Sequence, residues 1–402
     1  LICDPKSQES LTPLAQTTGA QLETMNALGS GSFAQKAAPQ PTEFSTVPRK
    51  AEDLAAFLYT SGTTGRSKGA MLTQGNLLSN TQALLGEWAF TANDTLLHAL
   101  PIFHTHGLFV ATNIALLAGS KILFVPKFDP DTMIRLMSKA TTMMGVPTFY
   151  TRLLDDARFT KDLTSHMRLF ISGSAPLLAE THLQFEARTG HRILERYGMT
   201  ETNMNTSNPY TGERRAGTVG FPLPGVELKI TDRQTGATLP QGEIGEIEVR
   251  GPNVFQGYWQ MPEKTAEELR ENGFFITGDL GKIDEDGYLH IVGRNKDLII
   301  SGGYNIYPKE IELLLDNEAG VLESAVVGVP HPDFGETVVG VVVAEKGVEL
   351  DLDQLKQNIS GSLARFKQPQ KLFVVDELPR NTMGKVQKKA LREAYKNTYQ
   401  KP

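Results

Sequence analysis

"LYTSGTTGRSKGAML", residues 58–72, sets a loop rich in Gly, Ser and Thr, with one lysine, between apolar flanks. The composition suits an anion cradle. Glycine lets backbone amides turn toward a phosphate, the hydroxyls of Thr60, Ser61, Thr63 and Thr64 add donors, and Lys68 adds charge. A Walker A loop needs two glycines separated by four residues, then Lys and Ser or Thr. Here Gly62 and Gly65 stand closer together, and Lys68 is followed by Gly69. Any phosphate site in this loop is therefore built on another plan, which the rest of the chain must supply.

Outward from the loop, strand and helix patterns alternate. "LAAFLY" reads as a buried strand, "NLLSNTQALLGEW" as a helix, "KILFVP" as a strand and "DTMIRLMSKA" as a helix. "TTMMGVP" and "MRLFISG" follow as strands, and "LAETHLQFEARTG" as a helix, which predicts a layered α/β core. After Arg214 the texture changes. "GVELKITD", "GEIEVRG" and "FFITGDLGKIDEDGYLHIVGR" are short strands with Asp-Gly turn signals, as in antiparallel sheet. After "GRNKD" (293–297) a small α+β unit follows, with helices at "YPKEIELLLDNE" and "LDQLKQNISGSLARF" and strands at "ESAVVGVP" and "ETVVGVVVAE". These patterns place a domain boundary at Asp297, giving a large domain over 1–296 and a small one over 297–402. Residues 28–50, rich in Gly, Ser, Pro and Thr, read as a linker.

Composition narrows the function. The 402 residues carry 40% hydrophobic side chains and a net charge of −6, a globular balance that favours no polyanionic partner such as nucleic acid. One cysteine, Cys3, excludes an internal disulfide framework and a Cys-rich metal site. The most apolar long window, Gly107–Pro126, is broken by Thr112, Asn113, Ser120 and Lys121, so no membrane span is expected. A cytoplasmic setting fits. Because the chain begins at Leu1, it reads as a fragment, and a targeting peptide is not tested.

"YTSGTTGRSKG" is followed in order by "PIFHTHG", "GVPTFY", "ISGSAPL", "ERYGMTET", "GYW", "GFFITGD", "GRNKDLIISGGYNIYPKEIE" and "PRNTMGKVQK". This series resembles the acyl-adenylate-forming superfamily of acyl-CoA synthetases, luciferases and adenylation domains, from Asp53 to Lys388. The resemblance implies a large N-terminal domain of layered α/β sheets with a β-rich subdomain, its first strands missing here. It also implies a small mobile α+β C-terminal domain.

It implies chemistry as well. Thr60, Ser61, Gly62, Thr63, Thr64, Gly65 and Lys68 would hold the β- and γ-phosphates of ATP. Ser174, Ala175 and Pro176 would line the adenine pocket with Glu195, Gly198 and Met199, and Tyr197 would form its platform. Thr200 would donate to phosphate and Glu201 would bind Mg²⁺, which suits a hard cation. Asp279 and Arg294 would hold the ribose. Lys385 would be the catalytic lysine, stabilising the α-phosphate as it becomes pentavalent. Asp297 matches the hinge, and Ser301, Gly302 and Gly303 would line the pantetheine path of coenzyme A. The short stretch after Lys385 points to free coenzyme A as acceptor.

Within the superfamily, "HTHG", "VPTFYTRLL", "ERYGMTETNMNTSNPY" and "RAGTVGFPLPGVE" resemble the malonyl-CoA synthetase group. That likeness implies malonate as the acid, with Arg152 holding its distal carboxylate and Thr105 and Met204 flanking C2. On spacing alone, Arg152 better suits a surface helix position beside Asp155 or Asp156, and the resemblance shifts the reading. His104 and His106 are candidates for substrate binding or structure, and Arg66 for malonate or phosphate. The rival readings are a synthetase for another short acid, such as methylmalonate or acetate, and a non-catalytic nucleotide-binding homologue. The last is disfavoured because Lys385, Glu201 and Asp279 are all present. Lys385 is also a candidate for a lysine acetyltransferase and deacetylase, since acetylation would remove its charge. Lys388 and Lys389 read as solvated surface charge.

Overall fold

The computed structural model describes residues 1–60, 67–381 and 384–399. The chain divides into two compact units, Leu1–Arg49 and Lys50–Pro402, so the boundary expected at Asp297 falls inside the second. In the first unit a helix, Gln8–Thr18, lies between two short parallel strands, Ile2–Cys3 and Glu23–Thr24. The stretch read as a linker contains a further helix, Ser32–Ala37, and only its remainder is irregular.

The second unit opens with a hairpin of β1 (Leu54–Thr60) and β2 (Lys68–Thr73), whose connection carries the Gly-rich loop. Helix α1 (Gln74–Glu87) starts at Thr73, whose hydroxyl accepts from the Asn76 amide while Asn76 caps back. A seven-stranded sheet then forms from β3 (Thr95–His98), β4 (Lys121–Phe124), β5 (Thr142–Gly145), β6 (Leu169–Ser172), β7 (Leu194–Met199), β8 (Asn203–Ser207) and β9 (Phe221–Pro222). Their spatial order is β9-β8-β7-β6-β5-β3-β4. The five strands from β4 to β7 are parallel, and β8 and β9 are antiparallel additions. β5 and β6 are buried along their whole length, as parallel strands covered on both faces must be.

Strand order fixes where a ligand belongs. The chain leaves β3 for β4 on one side and returns to β5 on the other, so a topological switch point lies between β3 and β5. The loops "PIFHTHG", "GVPTFY", "GSAPL" and "GMTE" follow β3, β5, β6 and β7, all at the carboxyl ends of these parallel strands.

Beside this core stands an antiparallel sheet of β10 (Glu227–Thr231), β11 (Gly245–Arg250), β12 (Phe275–Ile283) and β13 (Leu289–Arg294). A last sheet takes in β14 (Ile299–Ser301), β15 (Tyr304–Ile306), β16 (Val321–His331), β17 (Gly335–Ala344) and β18 (Lys371–Val375). In β16 and β17 the period of two divides the valines between two cores. Val326, Val338 and Val342 pack with Ile311, Leu315, Leu355 and Ile359. Val327, Val329, Val339, Val341 and Val343 pack with Leu378 and Leu391, the latter on the C-terminal helix Lys388–Tyr395.

Candidate active site

Asp279 sits on β12 opposite Arg294 on β13. Gly278 adopts a left-handed backbone (φ 71°) inside the strand, which swings Asp279 out of the regular pleat. The carboxylate is buried, and Arg294 Nε lies 2.8 Å from its Oδ1. Tyr197 Oη, from the end of β7, donates to Oδ2 at 2.7 Å. Burial, with the nearby Asp279 charge, pushes the Tyr197 phenol far up, so it stays a donor. Aromatic ring, carboxylate and guanidinium thus form one unit suited to a base and its ribose. Glu195 of the same strand is buried elsewhere, 3.4 Å from His182 Nδ1, and accepts from the Gly217 amide at 3.4 Å.

A second cluster gathers four segments. Glu201 is buried after β7, and burial raises its carboxyl above the usual range. Tyr258 Oη lies 2.9 Å from Glu201 Oε1 and 2.6 Å from Glu268 Oε2. Lys68 Nζ reaches Tyr258 Oη at 3.1 Å and both Glu268 oxygens at 3.3 Å. The ammonium also lies 4.3 Å from the centroid of the Tyr258 ring. Backbone pairing sets this up, since Met71 N donates to Gly257 O and Trp259 N to Gly69 O. Sequence reading found Lys68 and Glu201 but not Tyr258, which lay unused in "GYW", nor Glu268, which carries no motif. A buried carboxylate held by one phenol fits a hard divalent cation such as Mg²⁺.

The third cluster gathers β7 and the loops that follow β3 and β6. Arg196 of β7 is buried, and its Nε and Nη2 find no hydrogen-bond partner. Among the described residues no carboxylate pairs with it, and burial pushes its guanidinium down to about 9. A Cβ on Gly173 would stand 2.4 Å from its Cζ, so the guanidinium lies directly against the "GSAPL" backbone. Ser174 there has φ 71°, and its Oγ is 3.1 Å from His106 Nδ1. His106 is fully enclosed in a wide π-helical turn, His106–Thr112, and its Nε2 is unpartnered. Burial, then the Lys385 and Arg196 charges, bring His104 down to about 4. Both histidines are therefore neutral at pH 7.

Thr105 and Met204 come together here. Thr105 Oγ1 donates to Asn203 Oδ1 at 2.7 Å, and Met204, the next residue, is buried. A Cβ on Gly198 would meet Asn203 O at 1.8 Å and Met204 Cε at 2.6 Å, so only glycine fits. Asn80 of α1 grips the Met204 backbone from both sides, donating to its carbonyl at 2.8 Å and accepting from its amide at 3.2 Å.

Arg152 departs from its expected setting. It lies on an exposed position of helix Pro147–Leu154, whose buried residues are Phe149, Tyr150 and Leu153. Helical period carries position 152 to the outer face, and Arg196, passed over within "ERYGMTET", holds the buried cationic place instead.

Lys385 belongs to the same centre. Burial, then the Arg294 charge, lowers its ammonium to about 8, with Arg196 acting the same way and Asp279 and Glu201 opposing. The preceding Gly384 lies against Thr148 of the "GVPTFY" loop. Lys388 is not solvated surface charge, because its Nζ lies 2.5 Å from buried Glu312. Asp297 is ion-paired to Arg392 at 2.9 Å. Gly302 and Gly303 (φ 55° and 84°) form a two-residue hairpin turn between Ser301 and Tyr304. Met199 and Thr200 precede Glu201 at the end of β7, and Ala175 and Pro176 follow Ser174. Ser61, Gly62, Thr63, Thr64, Gly65 and Arg66 lie outside the described residues, whereas Thr60 closes β1 with a buried, unpartnered hydroxyl. No described helix is long and apolar enough to cross a membrane.

The chain is 39% identical to malonate–CoA ligase of Arabidopsis thaliana over 392 residues, covering 89% of this chain and 63% of that protein. It is 60% identical to ATP-bound MatB of Rhodopseudomonas palustris, with a TM-score of 0.97, covering 99% of this chain and 79% of that one. Against apo MatB of the same organism, at the same identity and coverage, the TM-score is 0.83. Residues 310–385 match the AMP-binding enzyme C-terminal domain and residues 3–259 the AMP-binding enzyme family, and the chain belongs to that family.

Proposed function

We propose that the chain carries the machinery to ligate malonate to coenzyme A through a malonyl-adenylate. One malonate carboxylate oxygen attacks the α-phosphorus of ATP, the bond to the β-phosphate breaks, and pyrophosphate leaves. The thiol sulfur of coenzyme A then attacks the acyl carbon as its proton is lost, the bond from that carbon to the phosphate oxygen breaks, and AMP leaves with the oxygen and the electron pair. The observation that carries the choice of acid is Arg196, a buried guanidinium with two unpartnered nitrogens against Gly173. A monocarboxylic acid would leave that charge unpaired, whereas the distal carboxylate of malonate supplies a bidentate partner. Thr105 and Met204 then bound the space around C2.

On the nucleotide side, Tyr197, Asp279 and Arg294 take base and ribose, and Ser174, Ala175 and Pro176 border the base. Thr60, Lys68 and Thr200 serve the phosphates, and Glu201 would hold Mg²⁺, which neutralises phosphate charge when bound. Lys385 places its cation between the two reacting anions. The second step uses Ser301, Gly302 and Gly303 for the pantetheine arm after the part beyond Asp297 swings. MatB of Rhodopseudomonas palustris matches this chain at a TM-score of 0.97 with ATP bound and 0.83 in its apo form, so that relative is seen in two arrangements. An acetyltransferase and deacetylase acting on Lys385 would switch the first step, because acetylation removes the charge. The test is pyrophosphate release with malonate, methylmalonate, acetate and a long-chain fatty acid, each with and without coenzyme A. Malonate is expected to lead, and equal or faster release with acetate would overturn the choice of acid.

A further inference from the structure

Resting on that reading of the nucleotide site, we propose that Glu268 is a positioning residue, which fixes Lys68 and, through Tyr258, couples it to Glu201. Glu268 is the last residue of helix Pro262–Glu268, far in sequence from both. It faces Lys68 with both carboxylate oxygens at 3.3 Å, takes Lys264 at 2.9 Å, and approaches Tyr258 Oη at 2.6 Å. Tyr258 carries one proton between two carboxylates, at 2.6 Å from Glu268 and 2.9 Å from Glu201. While Lys68 donates to the phenol oxygen, that proton must serve one acid or the other, so the four side chains order together. The side chains of Lys68 and Glu268 are only 17% and 22% exposed, which sets this pair apart from a loose surface ion pair.

The arrangement has a purpose at a phosphate site. A lysine stem is mobile, and fixing it only on ligand arrival would lower affinity; a carboxylate that holds it beforehand removes that loss. Tyr258 adds the ring face and a fixed acceptor. Glu268 would thus act on the β- and γ-phosphates without touching them.

The experiment is equilibrium binding of ATP and of AMP by calorimetry, on wild type, Glu268→Gln, Lys68→Ala and the double variant, with no acid or coenzyme A present. Glu268→Gln should weaken ATP about ten-fold, the size expected for a charge-assisted contact, and AMP less than about two-fold, since AMP lacks the phosphates served. In the Lys68→Ala background the Glu268 change should add nothing further. Glu268→Asp, which keeps the charge but shortens the reach, should fall between and covers a Gln variant that fails to fold. Equal weakening of ATP and AMP, unchanged ATP affinity, or additive losses would each overturn the assignment. A wild type that binds neither nucleotide would instead overturn the adenylate-forming reading, and the role of Glu268 with it.

Discussion

Replacing Arg196 by Met removes a charge while nearly keeping side-chain volume, and the structure sets how much that should matter. Two of its nitrogens, Nε and Nη2, are buried without partners and so are free for a ligand. A hydrogen bond to a charged group contributes about 1.5–3 kcal/mol, so two amount to about 3–6 kcal/mol. At about 1.4 kcal/mol per decade, kcat/KM for malonate should fall by about two to four decades. Propionate, which has no distal carboxylate, should lose less than about three-fold or gain, because it is no longer opposed by an unpaired charge. The variant should also melt no lower than wild type, since a buried guanidinium held down to about 9 by burial opposes folding. Pyrophosphate release with both acids and a thermal melt suffice. Parallel losses for malonate and propionate, or intact selectivity for malonate, would refute the assignment of Arg196.

Gly173→Ala should reproduce part of that loss, because the new Cβ would stand 2.4 Å from Arg196 Cζ; nucleotide affinity measured by calorimetry should hold. Asn80→Ala removes the amide that brackets the Met204 backbone and leaves a buried N–H unpaired, costing about 1–3 kcal/mol by denaturant titration. The same variant should raise the methylmalonate-to-malonate ratio of kcat/KM as the Met204 wall loosens. For pH, the proposed role of Lys385 needs its cation, and burial lowers its ammonium to about 8, so raising pH through 8 removes the charge. The kcat/KM for pyrophosphate release should show a basic limb near pH 8, more than two units below an ordinary lysine, while thioester formation from preformed adenylate should lack it.

The large elements were legible because periodicity reports burial directly. The mainly apolar runs "TMMG" and "LFIS" became the wholly buried central parallel strands β5 and β6, and the Asp-Gly turn at 286–287 closed β12 against β13. Much of the site was legible too, since four motif loops follow four parallel strands and meet by topology alone. What escaped were contacts that topology makes between distant segments. Glu268 sits beside Lys68 because backbone pairing brings residues 257–259 to β2, and nothing at position 268 announces it. Arg152 and Arg196 show a second limit. The resemblance pointed to a cation near the acid, but placement depends on which face a helix turns outward and on which strand residue turns inward. The helix of residues 32–37 escaped because Gly and Pro on either side of it dominate the local signal.

The cations of the site divide into two kinds, and the division bears on what binding must supply. Lys68 and Arg294 already have carboxylates, Glu268 and Asp279, at 3.3 and 2.8 Å. On the proposed reading those pairs order the nucleotide side in advance, and a phosphate or ribose joins them by adding contacts. Arg196 and Lys385 are different: burial is the first cause lowering each, and no ion pair with either occurs among the described residues. Such groups raise the free energy of the folded chain, as strained or unsatisfied positions at functional sites do. On the proposed reading that cost is offset when anions arrive, and the two charges face separate anions, a distal carboxylate at Arg196 and the reacting carboxylate and phosphate at Lys385. Neutralising Arg196 should therefore reduce the choice between acids while sparing nucleotide binding, and neutralising Lys385 should slow adenylation of every acid alike. A variant at either position that did the opposite would show that the two charges had been assigned the wrong way round.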